Sequence, residues 1–350
     1  MNNMLAAVYH GPEDLRVETV PQPETGPGEI LVRVDAASIC GTDLRILHGA
    51  HRKFPSGTVR IPGHEVSGTI VQVGPGLQDY SEGQRVFVAP NWGCGHCRQC
   101  ISGTNNLCAG YGAIGITQDG AFASYLLIPA PAVTQGNVMS LHPSVDPAQA
   151  ALIEPLACVL RGQETVGIRP GDVVLVMGAG PIGILHLKLA ALSGAGSVIV
   201  SEPAQDRLER AIQMGANQTV NPEQQDLAEF IKEATGGVGA DVILVATPSH
   251  QAQESTLQIA AIGGRINFFG GLPKDQPTIR FDSNQVHYKE LVVTGTTACS
   301  TRDCWRAAQI VNSGLLDLGS LVSKRFPLSL AGEAFMAAED RKVLKVVIEP

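Results

Sequence analysis

The sequence predicts an α/β chain of two domains, one β-rich with long loops and the other built on a doubly wound parallel sheet. Three observations carry this expectation. The first third reads as short strands punctuated by pairs such as Gly26-Pro27, Pro62-Gly63 and Gly74-Pro75; from about Ala148 helical and strand-like segments alternate; and Gly178-Ala-Gly180-Pro-Ile-Gly183 directly follows an apolar strand. Strands that alternate with helices and are apolar on both faces belong to parallel sheets covered on each side, whereas short strands bounded by turns build a separate β-rich layer.

In chain order, the β-rich part should hold strands at 5–9, 30–37, 65–73 and 85–89, each an apolar run stopped by turn-forming residues. The continuous apolar run 173–177 reads as a buried strand, 182–192 as a helix ending at Gly194, and 197–201 as a second strand. The alternation continues with helices at 205–214, 227–234 and 251–261 and strands at 242–246, 265–269 and 291–295. A helix at 328–338 and a strand at 344–348 should rejoin the first domain, so that residues 1–156 with 296–350 form one domain and 157–295 the other.

Composition narrows the function. The 350 residues leave room for two cores, and 44% hydrophobic against 5% aromatic side chains suits a protein rich in small aliphatics. A formal charge of -8 argues against nucleic acid as a partner, because phosphate binding draws on concentrated positive charge. Apolar runs are broken well short of a bilayer's width, and no charged-then-apolar leader opens the sequence; no membrane partner and a cytoplasmic location are expected.

Four cysteines, Cys94, Cys97, Cys100 and Cys108, fall within fifteen residues. Four thiolates on one irregular loop can surround zinc tetrahedrally and leave no open position, the arrangement of a structural site. Disulfides are the poorer reading, because Cys40, Cys158, Cys299 and Cys304 are scattered rather than framework-like. His96, inside the loop, reads as a solvated side chain.

The motif at 178–183 has the strand-to-helix setting of a dinucleotide fingerprint. Gly178 permits the tight turn, Gly180 admits a pyrophosphate against backbone amides, and Gly183 lets the helix pack on the strand. Pro181 and Ile182 open the helix, where a missing amide loses no bond and the unpaired N–H groups face phosphate. Glu202 follows nineteen residues after Gly183, at the end of the next strand, where a carboxylate accepts from the adenosine ribose and repels a 2′-phosphate. NAD is therefore expected over NADP, with Arg207 as the cation that could accommodate the phosphate instead.

Cys40, His64, Glu65 and Glu154 are candidates for a second, open metal site. A catalytic zinc takes three protein ligands and keeps one position for water or substrate. As a Lewis acid it favours the alkoxide of an alcohol, from which hydride leaves toward a nicotinamide ring. Thr42 stands two residues after Cys40, with a hydroxyl that could carry the released proton outward. Singly, each has a plain alternative: Cys40 as a small buried hydrophobe, His64 as a satisfied core histidine, Glu154 as an acid opening a helix before Pro155.

Cys40-Gly41-Thr42-Asp43, Gly63-His64-Glu65-Val-Ser-Gly68 running on to Gly74, the four-cysteine loop, Ile153-Glu154-Pro155-Leu156 and the glycine motif occur in that order. Over nearly its whole length the chain thereby resembles the zinc-dependent medium-chain dehydrogenases. Glu154-Pro155-Leu156-Ala157 looks most like the sorbitol (polyol) dehydrogenase branch, with threonine dehydrogenases as near relatives. The resemblance implies a GroES-like catalytic domain holding two zinc ions per chain, a Rossmann domain binding NAD, and a homo-tetramer. It implies Cys40, His64 and either Glu65 or Glu154 as ligands of the catalytic zinc, and Thr42 as substrate contact and proton relay. The expected reaction is reversible oxidation of a secondary alcohol on a polyol or sugar-like substrate. Threonine or a simple alcohol is the alternative substrate; a nucleotide-binding protein without catalysis is the alternative of another class. Two positions depart from the family pattern. Arg45 stands where relatives often carry a relay histidine, for which His48, His51 or water could substitute, and Arg161 stands near where polyol relatives tend to have histidine.

Overall fold

The computed structural model describes residues 2–350. The chain divides into two compact units, Met1–Ala157 with Cys299–Pro350, and Cys158–Ala298. One boundary falls inside the helix Ile153–Val166.

In the first unit a seven-stranded sheet runs Val322–Pro327, Lys345–Glu349, Ile30–Ser38, Glu65–Val73, Arg85–Val88, Val138–Ser140, with Tyr125–Ile128 also paired to Ile30–Ser38. Alternate apolar residues of its central strands, among them Ile30, Val32, Val66, Ile70 and Val86, bury into one core with Phe122 and Phe335, whose rings meet edge to face at 5.4 Å. Two registers position the chemistry. Ser38 lies opposite Glu65, and Val347 of the C-terminal strand also lies opposite Ser38. Cys40, Glu65 and Lys345, remote in sequence, are thus delivered to the same end of the sheet.

The second unit holds six strands, all paired in parallel, in the order Gln218–Val220, Ser197–Ser201, Val173–Met177, Ala240–Val245, Ala260–Phe268, Val292–Gly295. Counted along this unit the order is 3-2-1-4-5-6, a doubly wound Rossmann sheet whose direction reverses between its first and fourth strands. Val174, Leu175, Val176, Val242, Ile243 and Leu244 are all fully buried, as unbroken apolar runs in a sheet covered on both faces require.

Several elements differ from the sequence expectation for identifiable reasons. The expected helix at 251–261 is His250–Ile259, and Ala260 already begins the next strand, because Ala260 pairs with Ala240 before an irregularity brings Arg265 opposite Val242. The expected helix at 328–338 is a 3-10 turn, Leu328–Leu330, followed by the α-helix Ala331–Glu339. The strand Asp14–Pro21 escaped the reading because it has no fully buried residue and so no core-facing alternation, although it pairs along Asn3–Gly11. Helix Thr301–Asn312 was legible but passed over: Ser300 and Asp303 form a reciprocal capping box at its start.

Candidate metal and dinucleotide sites

The four-cysteine loop is drawn together in the first unit. The Sγ atoms of Cys94, Cys97, Cys100 and Cys108 all lie within 4.8 Å of one another, with Cys97 to Cys100 at 3.4 Å and Cys94 to Cys100 at 4.0 Å. A tetrahedron with metal–sulfur bonds of about 2.3 Å has edges of about 3.8 Å, so these spacings suit a zinc ion, and all four thiols are free rather than bridged. Amides of His96 and Cys97 pull the Cys94 thiol down to about 6, whereas burial pushes Cys100 up to about 11. The base of the loop is fastened by side-chain amides. Gln135 bonds both the N–H and the carbonyl of Gly93, Asn105 donates to the Asn91 carbonyl, and Asn137 donates to the carbonyls of Ala89 and Asn91. His96 stays at the surface, its Nδ1 2.9 Å from the Cys94 carbonyl oxygen.

Cys40, His64 and Glu65 also converge, their ligand atoms lying within 4.8 Å of one another. Cys40 caps the helix Gly41–Leu47, and its backbone N–H donates to Asp43 Oδ2 at 2.9 Å. The other oxygen, Asp43 Oδ1, stands 3.5 Å from His64 Nδ1, long for a hydrogen bond. Glu65 is fully buried; its Oε2 accepts from Lys345 Nζ at 2.5 Å, and the same ammonium donates to the Ile39 carbonyl at 2.9 Å. Glu65 Oε1 and His64 Nδ1 are buried without any hydrogen-bond partner. Such atoms are costly unless something pairs them, so a thiol, an imidazole and a half-satisfied carboxylate at this spacing fit a cation. Burial opposes a charge on His64, yet Asp43 and Cys40 outweigh it and raise its pKa well above the usual range, the mark of negative surroundings that a cation would neutralise.

Glu154 borders this group without belonging to it. It is 6% exposed, and its Oε1 accepts the Cys299 thiol at 3.5 Å. Burial raises its pKa, against the opposing pull of His64. The two acids that the sequence left equivalent therefore differ: Glu65 is grouped with Cys40 and His64, and Glu154 with Cys299.

In the second unit the strand Val173–Met177 runs through Gly178, at φ 105°, into the helix Pro181–Leu192, with Gly180 as its N-cap and Pro181 in its first turn. A Cβ on Gly183 would fall 1.8 Å from the Gly178 carbonyl oxygen, so helix and turn touch backbone to backbone. Ile182 lies in the same first turn. Glu202, 7% exposed, follows the strand Ser197–Ser201; its Oε2 accepts from the Ala179 amide at 2.8 Å. Arg207 Nη1 stands 3.8 Å from the same oxygen. A carboxylate accepts several bonds, which leaves Glu202 capacity for a ribose hydroxyl beside its amide.

Residues 26–138 match the alcohol dehydrogenase GroES-like domain family, and residues 181–313 match the zinc-binding dehydrogenase family. The chain is 35% identical over 348 residues to the L-threonine 3-dehydrogenase of Thermococcus kodakarensis, covering 97% of this chain and 95% of that one. The chain belongs to the zinc-dependent medium-chain dehydrogenases. Within that family it is also 30% identical to the sorbitol dehydrogenase of Halalkalibacterium halodurans, covering 99% of this chain and 98% of the relative. Among solved structures, a Sinorhizobium meliloti protein described as a zinc-binding dehydrogenase and bound to NADP superposes with a TM-score of 0.92 at 33% identity, covering 100% of both chains. No helix among the described residues is long and apolar enough to cross a membrane.

Against this dehydrogenase background the departures acquire geometry. Arg45 Nη2 donates to Thr42 Oγ1 at 2.9 Å. A guanidinium cannot give up its proton or accept another, so it replaces a relay histidine in position without replacing its chemistry. His48 is turned away, with its Nδ1 2.5 Å from Glu13 and its Nε2 2.8 Å from Glu339. His51, by contrast, is held near 4 by burial and by the charges of Arg45, His64 and Arg52, and stays neutral at physiological pH. Arg161 is half-buried on the helix Ile153–Val166, in the second unit. Two residues that the sequence reading did not single out, Asp43 and Lys345, contact the Cys40, His64 and Glu65 group. Cys40-Gly-Thr-Asp43 has the three-residue spacing of a cap, which could have flagged Asp43; nothing local marks Lys345.

Proposed function

We propose that this dehydrogenase reversibly oxidises a secondary alcohol on a polyol or sugar-like substrate to the ketone, with NAD as hydride acceptor and two zinc ions per chain. The observation that carries the reading is the convergence of Cys40, His64 and Glu65, with Glu65 Oε1 buried and unpartnered, in a chain whose other unit holds a dinucleotide turn. Zinc in that group supplies a Lewis acid that favours the ionised alcohol, and the nicotinamide supplies the site that takes the hydride.

The chain's own residues do the rest. Cys40 and Glu65 contribute negative charge, and Lys345 fixes one carboxylate oxygen of Glu65 so that the other is free to ligate. Thr42 keeps its own proton and a lone pair after accepting from Arg45, enough to receive a proton from the substrate hydroxyl and pass one on. His51 is neutral, but with its pKa lowered to about 4 it is a weak base, so water is the next carrier of that proton. Cys94, Cys97, Cys100 and Cys108 close the structural zinc. Glu202 supports NAD through the ribose hydroxyls, with Arg207 as its near cation. Threonine is the second reading, favoured by the 35% identity to a threonine dehydrogenase.

The test couples metal analysis to NAD reduction over polyols, cyclitols, threonine and simple alcohols, repeated with NADP. Two zinc equivalents and polyol turnover with NAD are expected; turnover of threonine alone would remove the polyol assignment. Replacing one loop thiol, Cys100→Ser, should release one of the two metals and lower the thermal midpoint by roughly 10 °C, because metal binding and loop folding are one equilibrium. A variant that keeps both metals and its midpoint would show the loop to be four independent thiols.

A further inference from the structure

We propose that Arg45 selects an anionic substrate, an alcohol bearing a carboxylate or phosphate near the carbon to be oxidised. This rests on the dehydrogenase reading above and specifies its substrate class.

Between Asp43 and Glu65 the chain carries Arg45, Arg52, Lys53 and Arg60 and no acid at all, although acids outnumber bases 33 to 25 over the whole sequence. Three other exposed arginines of this unit do have carboxylate partners: Arg16 with Asp14, Arg33 with Asp35, and Arg325 with Asp146 and Glu349. Among the described residues Arg45 and Arg52 have no carboxylate partner, while Lys53 lies over the Tyr111 ring at 5.4 Å and Arg60 bonds the Ile116 carbonyl. Asp43, the nearest acid in sequence, is fully buried and turned toward the Cys40 amide and His64. Arg45 and Arg52 are thus left without a direct carboxylate partner among the described residues.

Arg45 is also placed where it bears on the reaction. Arg45 spends one N–H on Thr42, the hydroxyl assigned to the substrate, and keeps the remainder of its donor fork exposed. A planar guanidinium pairs with a carboxylate or phosphate through two parallel bonds and offers a neutral polyol much less. A second source of the same anionic chemistry is the pyrophosphate of the dinucleotide, and the experiment separates the two.

Purified holoenzyme is assayed with matched pairs, an aldonate or polyol phosphate against the uncharged alditol of equal length, in wild type and Arg45→Gln. The wild type should favour the anionic member by at least about tenfold in kcat/KM, and added salt should erode that preference, as screening of an exposed charge requires. Arg45→Gln should cut the anionic-to-neutral ratio by about thirtyfold, mainly through KM, with the Kd for NAD within about twofold of wild type. Preference for the neutral alditol in wild type overturns the proposal. So does a variant that weakens NAD and slows both substrates equally, which would assign the guanidinium to the cofactor phosphates. Turnover of alditols without anionic preference removes this inference alone, whereas no turnover of any alcohol removes the dehydrogenase reading beneath it.

Discussion

His64→Ala should lower kcat/KM by at least about 10⁴-fold, because losing the Lewis acid removes several kcal/mol of transition-state stabilisation and each 1.36 kcal/mol is a factor of ten. The same variant should carry one zinc equivalent instead of two, with the loop metal retained, since the four cysteines lie in a separate cluster. Glu65 and Glu154 should then part company. Glu65→Gln replaces a grouped carboxylate whose Oε1 has no partner, and it leaves the Lys345 ammonium buried against a neutral amide. Metal loss close to that of His64→Ala is expected. Glu154→Gln alters a carboxyl that accepts the Cys299 thiol and is not grouped with Cys40 and His64, so the metal should stay. Metal content by elemental analysis, read beside steady-state rates, decides the matter; if Glu154→Gln empties the site and Glu65→Gln does not, the ligand assignment is reversed.

The second large effect is expected from Gly183→Ala. Its Cβ would sit 1.8 Å from the carbonyl oxygen and 2.8 Å from the carbonyl carbon of Gly178. Neither is the end of a flexible side chain, so the helix Pro181–Leu192 must retreat from its strand or the turn must open. Overpacking of this kind costs about 1–3 kcal/mol or more, and it moves the helix amides proposed to face the phosphates. Fluorescence titration should show NAD affinity weakened by about a hundredfold, with a lowered thermal midpoint. Gly180→Ala makes the contrast, because there the added Cβ meets only Arg207 Nη1, at 4.0 Å, and the fold should survive. Equal NAD affinity in Gly183→Ala and wild type would show that the turn has room the geometry denies.

Local signals were readable because their chemistry is local. The cysteine loop places four ligands within one short segment, and the apolar strand, the glycines and Glu202 occupy a single strand–helix–strand unit whose spacing follows from backbone geometry. The hairpin strand Asp14–Pro21 and the split near Pro327 were harder, because a half-exposed strand has no buried face to alternate and a 3-10 turn differs from an α-helix only in its hydrogen bonds. His48 and His51 could not be ranked from spacing. The structure separates them by turning His48 between Glu13 and Glu339 while His51 is half-buried beside Arg45.

By itself the sequence determined two units, a doubly wound sheet with its dinucleotide turn, a cysteine loop spaced for zinc, and a set of scattered candidates around Cys40. Only the tertiary structure decided how the scattered set is arranged. Glu65 and Lys345 are 280 residues apart in the chain and meet because the C-terminal strand pairs beside Ile30–Ser38. Glu154 and Cys299, 145 residues apart, meet instead with each other. Sheet register fixes such pairs, and register is a property of strands brought together by burial, which no run of neighbouring residues encodes.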